Sequence, residues 1–281
     1  MDAGCRPIVL STRRIILCYH DDDATPGLAF EVLDWSGKRG ISRSVSGDVL
    51  ALKVSQDERS IAVGATRGQV FGFDSDFQPV LKKKLSGEVV DLSISSGTSP
   101  RIVVLSSRPA QGQRLTVLDW TGAVIAETRP TQQLEQVEMA PDGESFFAYG
   151  NGPRGQALMF FGTPAITTPP DKAPVPFQAK WTQRNPRHAD FSSPLLTGEK
   201  RVIVGIESLP AGSRETRIQS FDFEGKPLWT VPIGTEEGAY LFSHSWNEEG
   251  SFLVVGSDDS SLTAFVSKGG PPAPLPTGRS Q

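Results

Sequence analysis

The 281-residue sequence predicts an all-β fold, a six-bladed β-propeller of four-stranded antiparallel blades. Paired apolar runs recur along the chain, and the second run of each repeat ends at one of six positions: Asp34, Asp74, Asp119, Phe161, Asp222 and Phe265. These ends lie 40, 45, 42, 61 and 43 residues apart, and about 40–45 residues is the period of a propeller blade. A content of 28 Gly and 22 Pro also favours many short strands joined by tight turns.

The repeat is visible residue by residue. Residues 57–64 align without gaps on residues 249–256, and the same offset places Phe73 on Phe265. A third copy, residues 141–150, matches with one inserted residue. Each copy opens with residues typical of tight turns. The repeats are therefore predicted to be hairpins of antiparallel sheets.

Turn signals and apolar runs place the six blades in order along one domain, residues 7–267. The predicted blades span residues 7–45, 49–85, 89–129, 136–181, 188–233 and 239–266. The last blade is expected to be incomplete, because the Pro/Gly-rich run that follows cannot donate a regular ladder of hydrogen bonds. Alternatively, the N-terminal residues supply the fourth strand of the last blade. A propeller of seven blades is the alternative to six. Residues 268–281 are predicted to be a disordered tail.

A Pro-rich insertion at about 163–194 interrupts the period. One interpretation is an outer strand with a long loop, and the other is a binding surface, because loops often carry binding residues. The second interpretation rests on a basic and aromatic stretch, with five candidate partner-binding residues: Lys180, Trp181, Arg184, Arg187 and His188. Trp and Arg dominate protein-binding hot spots. By contrast, Trp35, Trp120 and Trp229 recur near the repeat Asp residues and are expected to pack between blades.

The sequence contains no recognisable catalytic, cofactor or metal motif. His20, His188 and His244 lack the short spacing of a zinc site, as do Cys5 and Cys18. Cys18 is expected to pack as a small apolar residue, and spacing alone cannot establish a disulfide. The runs 21–23 (Asp) and 82–84 (Lys) are interpreted as solvated turn and edge residues. A net charge of −4 argues against nonspecific nucleic-acid binding.

The repeats resemble two propeller families. Residues 55–64, the turn at 141–143 and residues 256–265 resemble WD-repeat blades. Residues 220–229 resemble the repeats of pyrroloquinoline-quinone-type (PQQ-like) propellers, with echoes at 33–38 and 118–122. The Gly-His dipeptide of WD repeats and the adjacent cysteine pair of the quinone enzymes are both missing. The resemblance therefore implies a propeller but does not imply cofactor binding, and no cofactor is expected.

These observations favour a noncatalytic module, a scaffold for protein–protein interactions. The alternative is a propeller enzyme of hydrolase or lactonase type, or a small-molecule binder, that uses the central channel. For that alternative, Glu88, Glu138 and Asp190 are the candidate channel acids.

The expected partners are proteins rather than nucleic acid. The chain is expected to have no membrane span and to be a monomer. A cytoplasmic location is expected. The alternative, if the N-terminus is incomplete, is a bacterial envelope lipoprotein, because residues 3–5 (Ala-Gly-Cys) resemble a lipoprotein cleavage site.

Overall fold

The computed structural model describes residues 8–18, 28–152, 155–164, 174–184, 189–197, 200–208, 215–233, 241–246, 252–257, 262–266 and 273–274. These residues form six four-stranded antiparallel sheets, and the strands of each sheet are neighbours in chain order. The all-β prediction is confirmed. Contacts divide the chain into two compact units, Met1–Ala148 with Phe161–Gln178 and Tyr149–Phe160 with Ala179–Gln281. A single domain over residues 7–267 stays a prediction.

The first three sheets cover residues 8–128. Sheet 1 contains β1 (Ile8–Val9), β2 (Arg14–Cys18), β3 (Leu28–Asp34) and β4 (Arg39–Ser44). Sheet 2 contains β5 (Val49–Val54), β6 (Ile61–Ala65), β7 (Gln69–Phe73) and β8 (Pro79–Lys84). Sheet 3 contains β9 (Glu88–Ile94), β10 (Ile102–Arg108), β11 (Gly112–Leu118) and β12 (Val124–Thr128). The predicted blade boundaries match these sheets within one residue.

The remaining sheets follow the same order. Sheet 4 contains β13 (Gln136–Met139), β14 (Ser145–Gly152), β15 (Gly155–Gly162) and β16 (Ala179–Arg184). Sheet 5 contains β17 (Ala189–Thr197), β18 (Arg201–Ser208), β19 (Glu215–Asp222) and β20 (Pro227–Pro232). Sheet 6 contains β21 (Leu241–Trp246), β22 (Phe252–Ser257), β23 (Leu262–Val266) and β24 (Ala273–Pro274).

Sheet 6 corrects one expectation. The sequence predicted an incomplete last blade without a fourth strand, but β24 pairs with β23 through Phe265↔Pro274 and Val266↔Ala273. The strand is only two residues long because proline has no N–H to extend the ladder. Part of the predicted disordered tail is therefore a short edge strand.

Burial decreases from the second strand of a sheet to the fourth. Every residue of β6 is buried, and so are the first five of β10. Strands covered on both faces read as continuous apolar runs, which is the pattern of Ile61–Ala65. The fourth strands β4 and β16 instead alternate between exposed and half-buried residues. The inner strands thus form the core, and the fourth strands present one face to solvent.

In the first unit, the turn after each first strand is hydrogen-bonded to the corresponding turn of the next sheet. Ser11 Oγ donates to Glu58 Oε2 over 2.9 Å, which joins sheets 1 and 2. The Gly97 N–H donates to Asp57 Oδ2 over 2.8 Å, which joins sheets 2 and 3. The first strands also contact one another, β5 with β9 and β9 with β13. Consecutive sheets with adjacent first strands are the arrangement expected of propeller blades.

The repeat Asp residues organise the turn after the third strand. In each copy one carboxylate oxygen accepts hydrogen bonds from the N–H groups two and four residues further on, over 2.8–3.0 Å. The four copies are Asp34, Asp74, Asp119 and Asp222. This side-chain-stabilised turn is the physical reason for the Asp repeat. The third residue after each Asp has positive φ, and these residues are Gly37, Phe77, Gly122 and Gly225.

The structure confirms the expected packing between sheets for one of the three repeat tryptophans. The Trp120 ring lies against Gly72, so it packs sheet 3 on sheet 2. Trp229 is buried in the core of sheet 5. The expectation for Trp35 was wrong, because 65% of this residue is exposed. Its position relative to the turn is repeated, but most of its surface is open to solvent.

Cys18 packs against the core shared by sheets 1 and 2, as expected, and its sulfur is disulfide-bonded. In the described part of the chain, no helix has the length and apolar character needed to cross a bilayer.

Candidate functional site

The predicted contact stretch includes β16, the fourth strand of sheet 4. Lys180, Thr182 and Arg184 are exposed, whereas the residues between them are half-buried. Side chains alternate between the two faces of a strand. The exposed face of β16 therefore carries two cationic groups in a row, and this face is called the basic strand face below.

Trp181 lies on the opposite side of β16 and anchors the strand. Its ring stacks on Phe160, with centroids 5.3 Å apart and planes 11° from parallel. Its Nε1–H donates to the carbonyl oxygen of Phe223 over 3.0 Å. An ideal Cβ on Gly225 would lie 2.7 Å from the indole. Trp181 is thus a half-buried packing residue that fixes the position of the basic strand face.

The ammonium of Lys180 lies over the ring of Phe160, with Nζ 5.8 Å from the centroid. Such a cation–π contact contributes about 0.5–1 kcal/mol at an exposed site and orients the side chain. Arg187 and His188, the other two candidates, lie outside the described residues. Partner binding by these five residues stays a prediction.

A second candidate site was only partly foreseen. Lys53 on β5, Asp91 on β9 and Glu138 on β13 all belong to first strands, and Lys53 Nζ lies 3.4 Å from Glu138 Oε2. The side chains of Lys53 and Glu138 are 39% and 34% exposed, so a solute can reach this ion pair. Glu138 and the proximity of Asp91 together keep Lys53 charged, since they raise its pKa.

The carboxyl of Asp91 is desolvated, and this burial raises its pKa to about 6. Lys53 and the N–H groups of Val137 and Leu92 oppose the shift, whereas the negative charge of Glu138 adds to it. The resulting group is half-protonated near pH 6. A carboxyl with such a pKa can accept or donate a proton near neutral pH.

Asp91 also has a structural role. Its Oδ2 accepts the Val137 N–H over 2.9 Å, and Ser93 Oγ accepts the Met139 N–H over 3.0 Å. Two side chains of β9 thereby satisfy backbone donors of β13 in the neighbouring sheet. Unpaired buried N–H groups are costly, so these contacts join the two sheets.

The other predicted channel acids do not join this cluster within the described residues. Glu88 accepts the Arg67 N–H over 2.8 Å, which holds the carboxylate at a turn of sheet 2. Asp190 pairs with Glu207 in the ladder of sheet 5, and its side chain lies outside the description. No group of three His, Cys, Asp or Glu residues suited to a metal ion occurs among the described side chains.

Sequence reasoning singled out Glu138 but missed Lys53 and Asp91. A signal was present, because both are charged residues inside otherwise apolar strands, VLALKV and EVVDLSI. A charge in such a run is a candidate for a paired or functional group. What the sequence did not reveal was that three first strands bring these residues together.

Comparison with solved structures places these sheets among β-propeller-like folds. The chain is similar to hydrazine synthase from Kuenenia stuttgartiensis, with a TM-score of 0.62 and 14% sequence identity over 90% of this chain and 73% of that chain. The likeness shows the fold alone. No family model and no curated protein matches the sequence.

Proposed function

We propose that this protein is a noncatalytic β-propeller that acts as a protein–protein interaction scaffold and binds an acidic partner through the basic strand face. The observation that carries this proposal is that the two faces of β16 have different contacts. Trp181 holds the strand against the protein, and Lys180 and Arg184 face solvent from the other side. A preorganised row of cations loses little side-chain freedom on binding.

The partner chemistry follows from charge. Carboxylates of an acidic peptide or protein surface are complementary to Lys180 and Arg184, and Arg can bind a carboxylate through two parallel hydrogen bonds. The chain as a whole carries a net charge of −4, so the basic face contrasts with the average surface. Charge complementarity of this kind mainly raises the association rate and specificity.

Charge reversal tests the proposal. The variant K180E/R184E is compared with wild type in a pull-down from native extract and in binding of the recovered partner, with circular dichroism to confirm folding. We expect at least about tenfold weaker binding, the effect of losing two charge-assisted contacts.

The chain offers a closely matched control. Lys82 lies over the Phe71 ring, 5.6 Å from its centroid, on the fourth strand of sheet 2, and Lys84 is exposed on the same strand. K82E/K84E therefore makes a similar charge change in an equivalent setting. Equal loss of binding in both variants would indicate nonspecific electrostatics and would overturn the assignment to β16.

A second function is supported by the cluster of Lys53, Asp91 and Glu138. These groups could bind a small molecule in a central channel, or exchange a proton with it in a hydrolase- or lactonase-type reaction. K53M and E138Q would then abolish a ligand-dependent or hydrolytic signal without affecting partner binding.

We also infer that the propeller has six blades, because the described residues form six sheets with repeated turns. Membership of the WD-repeat or PQQ-like families is part of this proposal and rests on the sequence resemblance. The bonded sulfur of Cys18 supports an oxidising compartment over the cytoplasm, since disulfides persist mainly there. It does not support the lipoprotein alternative, because the sequence has only two cysteines and a lipid on the sulfur of Cys5 would leave no second thiol for that bond. Labelling of cysteines in freshly isolated protein tests this inference. Fully reactive thiols would favour the cytoplasm.

A further inference from the structure

A polar cavity of about 420 Å³ lies beside sheet 3, between the β10–β11 turn and the connection from β12 to β13. Its volume falls within the range of small-molecule sites, about 300–1,000 Å³. The lining is rich in hydroxyl and amide groups and includes Ser107, Gly112, Gln113, Thr131, Gln132 and Gln133. Such groups can donate and accept hydrogen bonds.

The wall of this cavity is fixed by a reciprocal pair of hydrogen bonds. Gln113 Nε2 donates to the Leu134 carbonyl over 2.7 Å, and the Leu134 N–H donates to Gln113 Oε1 over 2.6 Å. Leu134 is buried, which ties the connecting segment to the core. On the other side, no atom lies within 4 Å of an ideal Cβ on Gly112, so that position opens on free space. The cavity is therefore held open.

Positive charge is concentrated on one side. A crevice too narrow to hold a water molecule shares Gly112 and Gln113 with the cavity and is bordered by Arg108, Arg114 and Arg129. Arg114 Nη1 lies 2.5 Å from Glu127 Oε1, and this pair is neutral overall. Arg108 Nη1 donates to the amide oxygen of Gln111 over 2.9 Å, which orients the guanidinium without cancelling its charge. Arg129 is exposed.

The nearest acid in the ladder makes its hydrogen bond at another turn. Glu88 is paired with Ser107, but its carboxylate accepts the Arg67 N–H over 2.8 Å. Among the described residues neither Arg108 nor Arg129 forms an ion pair, so both can interact with an external anion.

We propose that this cavity binds a small ligand with a hydroxyl-rich body and one anionic group, either a phosphoryl or a carboxylate group. Arg108 and Arg129 bind the anion, because guanidinium groups match both anions with paired N–H donors. Ser107, Gln113 and the 131–133 segment hydrogen-bond the body. This site is separate from the basic strand face, so it adds a ligand-binding activity to the proposed scaffold.

Isothermal titration calorimetry with glucose 6-phosphate, glucuronate and glucose tests the proposal and distinguishes the two anions. At least one anionic sugar is expected to bind the full chain at least about tenfold more tightly than glucose, because the charge-assisted contacts are missing for the neutral sugar. If neither anionic sugar binds more tightly than glucose, the proposal is wrong.

Three variants locate the site. R108Q/R129Q is expected to weaken binding at least about tenfold, whereas K82Q/K84Q removes the same charge from β8 and should leave the affinity within about twofold. T131W fills the cavity from an exposed loop position and should abolish binding with an unchanged thermal transition. Equal effects of the two charge variants, or full binding by T131W, would overturn the assignment.

Discussion

The indole of Trp181 occupies the space that a side chain on Gly225 would need, since an ideal Cβ on Gly225 would lie 2.7 Å from Trp181 Cγ. Gly225 also has φ +83°, a conformation that disfavours other residues. Two independent constraints therefore act on one glycine in the second unit. They link the turn of sheet 5 to the strand that carries the basic strand face.

Gly225→Ala is expected to lower the free energy of unfolding by about 2–4 kcal/mol, from the left-handed backbone and from overpacking against the indole. Gly37→Ala is the matched control, because Gly37 has φ +82° in the equivalent turn and open space around its Cβ. It should lose only about 1 kcal/mol. Urea denaturation of both variants measures the difference, and equal losses would show that the Trp181 contact is unimportant.

The free energy gained by burying the Phe77 side chain is expected to exceed the cost of its strained backbone. It has φ +59° where the equivalent turns have glycine, yet it is buried beside Phe30, with ring centroids 6.2 Å apart. Phe77→Gly would relieve about 1–2 kcal/mol of strain but lose the burial of a large side chain, about 3–5 kcal/mol. A net loss of about 2–3 kcal/mol should appear in denaturant titration. A variant as stable as wild type would contradict this balance.

The Asp turns are expected to contribute measurably to stability. Asp119 Oδ1 accepts the N–H groups of Thr121 and Ala123, both over 2.9 Å. Asp119→Ala removes both of these bonds and a third one, which the Thr121 hydroxyl donates to the same oxygen over 2.6 Å. It should destabilise by about 1–2 kcal/mol, whereas Asp119→Asn keeps an acceptor oxygen and should lose less than half of that. Thermal unfolding of the two variants checks the order. Equal losses in the two variants would argue that charge, rather than hydrogen bonding, stabilises the turn.

Asp91 should make stability depend on pH. Its folded-state pKa of about 6 is above the value of an unfolded Asp, near 3.9. The folded chain therefore binds more protons between these values, so stability falls as the pH rises from about 4 to 6, by up to about 2 kcal/mol. Asp91→Asn keeps an acceptor for Val137 and should remove this decrease, making the variant more stable than wild type at pH 7.

The matched control for Asp91 is Asp76→Asn, which changes an exposed carboxyl in the β7–β8 turn. Its unfolding curve should follow the wild-type pH dependence. Chemical denaturation at pH 4, 5, 6 and 7 measures all three proteins. A wild-type slope retained in Asp91→Asn would assign the pH dependence to other groups.

Much of the fold could be predicted because its signals are local. Apolar runs and the repeat Asp residues mark strands and turns. The blade boundaries agree with the sheets within three residues, except that sheet 6 extends eight residues beyond its predicted end. The failures involve contacts between distant segments. Proline content argued against β24, although two residues still pair with β23. Periodicity predicted a buried Trp35, but exposure depends on what neighbouring segment covers the ring.

The candidate sites show the same limit. The composition of residues 179–184 revealed the cationic groups, and alternation along a strand places Trp181 on the face opposite Lys180. Only coordinates show that the Trp181 ring stacks on Phe160. Likewise, no local pattern indicates that Lys53 and Glu138 form an ion pair across sheets. Side-chain alternation is local information, whereas convergence depends on how the sheets are arranged.

Hydrogen–deuterium exchange of the protein with its captured partner tests the central claim most directly. The scaffold proposal predicts that binding slows amide exchange on β16, over residues 179–184, with little change on β8. Protection confined to the first strands β5, β9 and β13, with none on β16, would contradict it and would favour a ligand site at Lys53, Asp91 and Glu138.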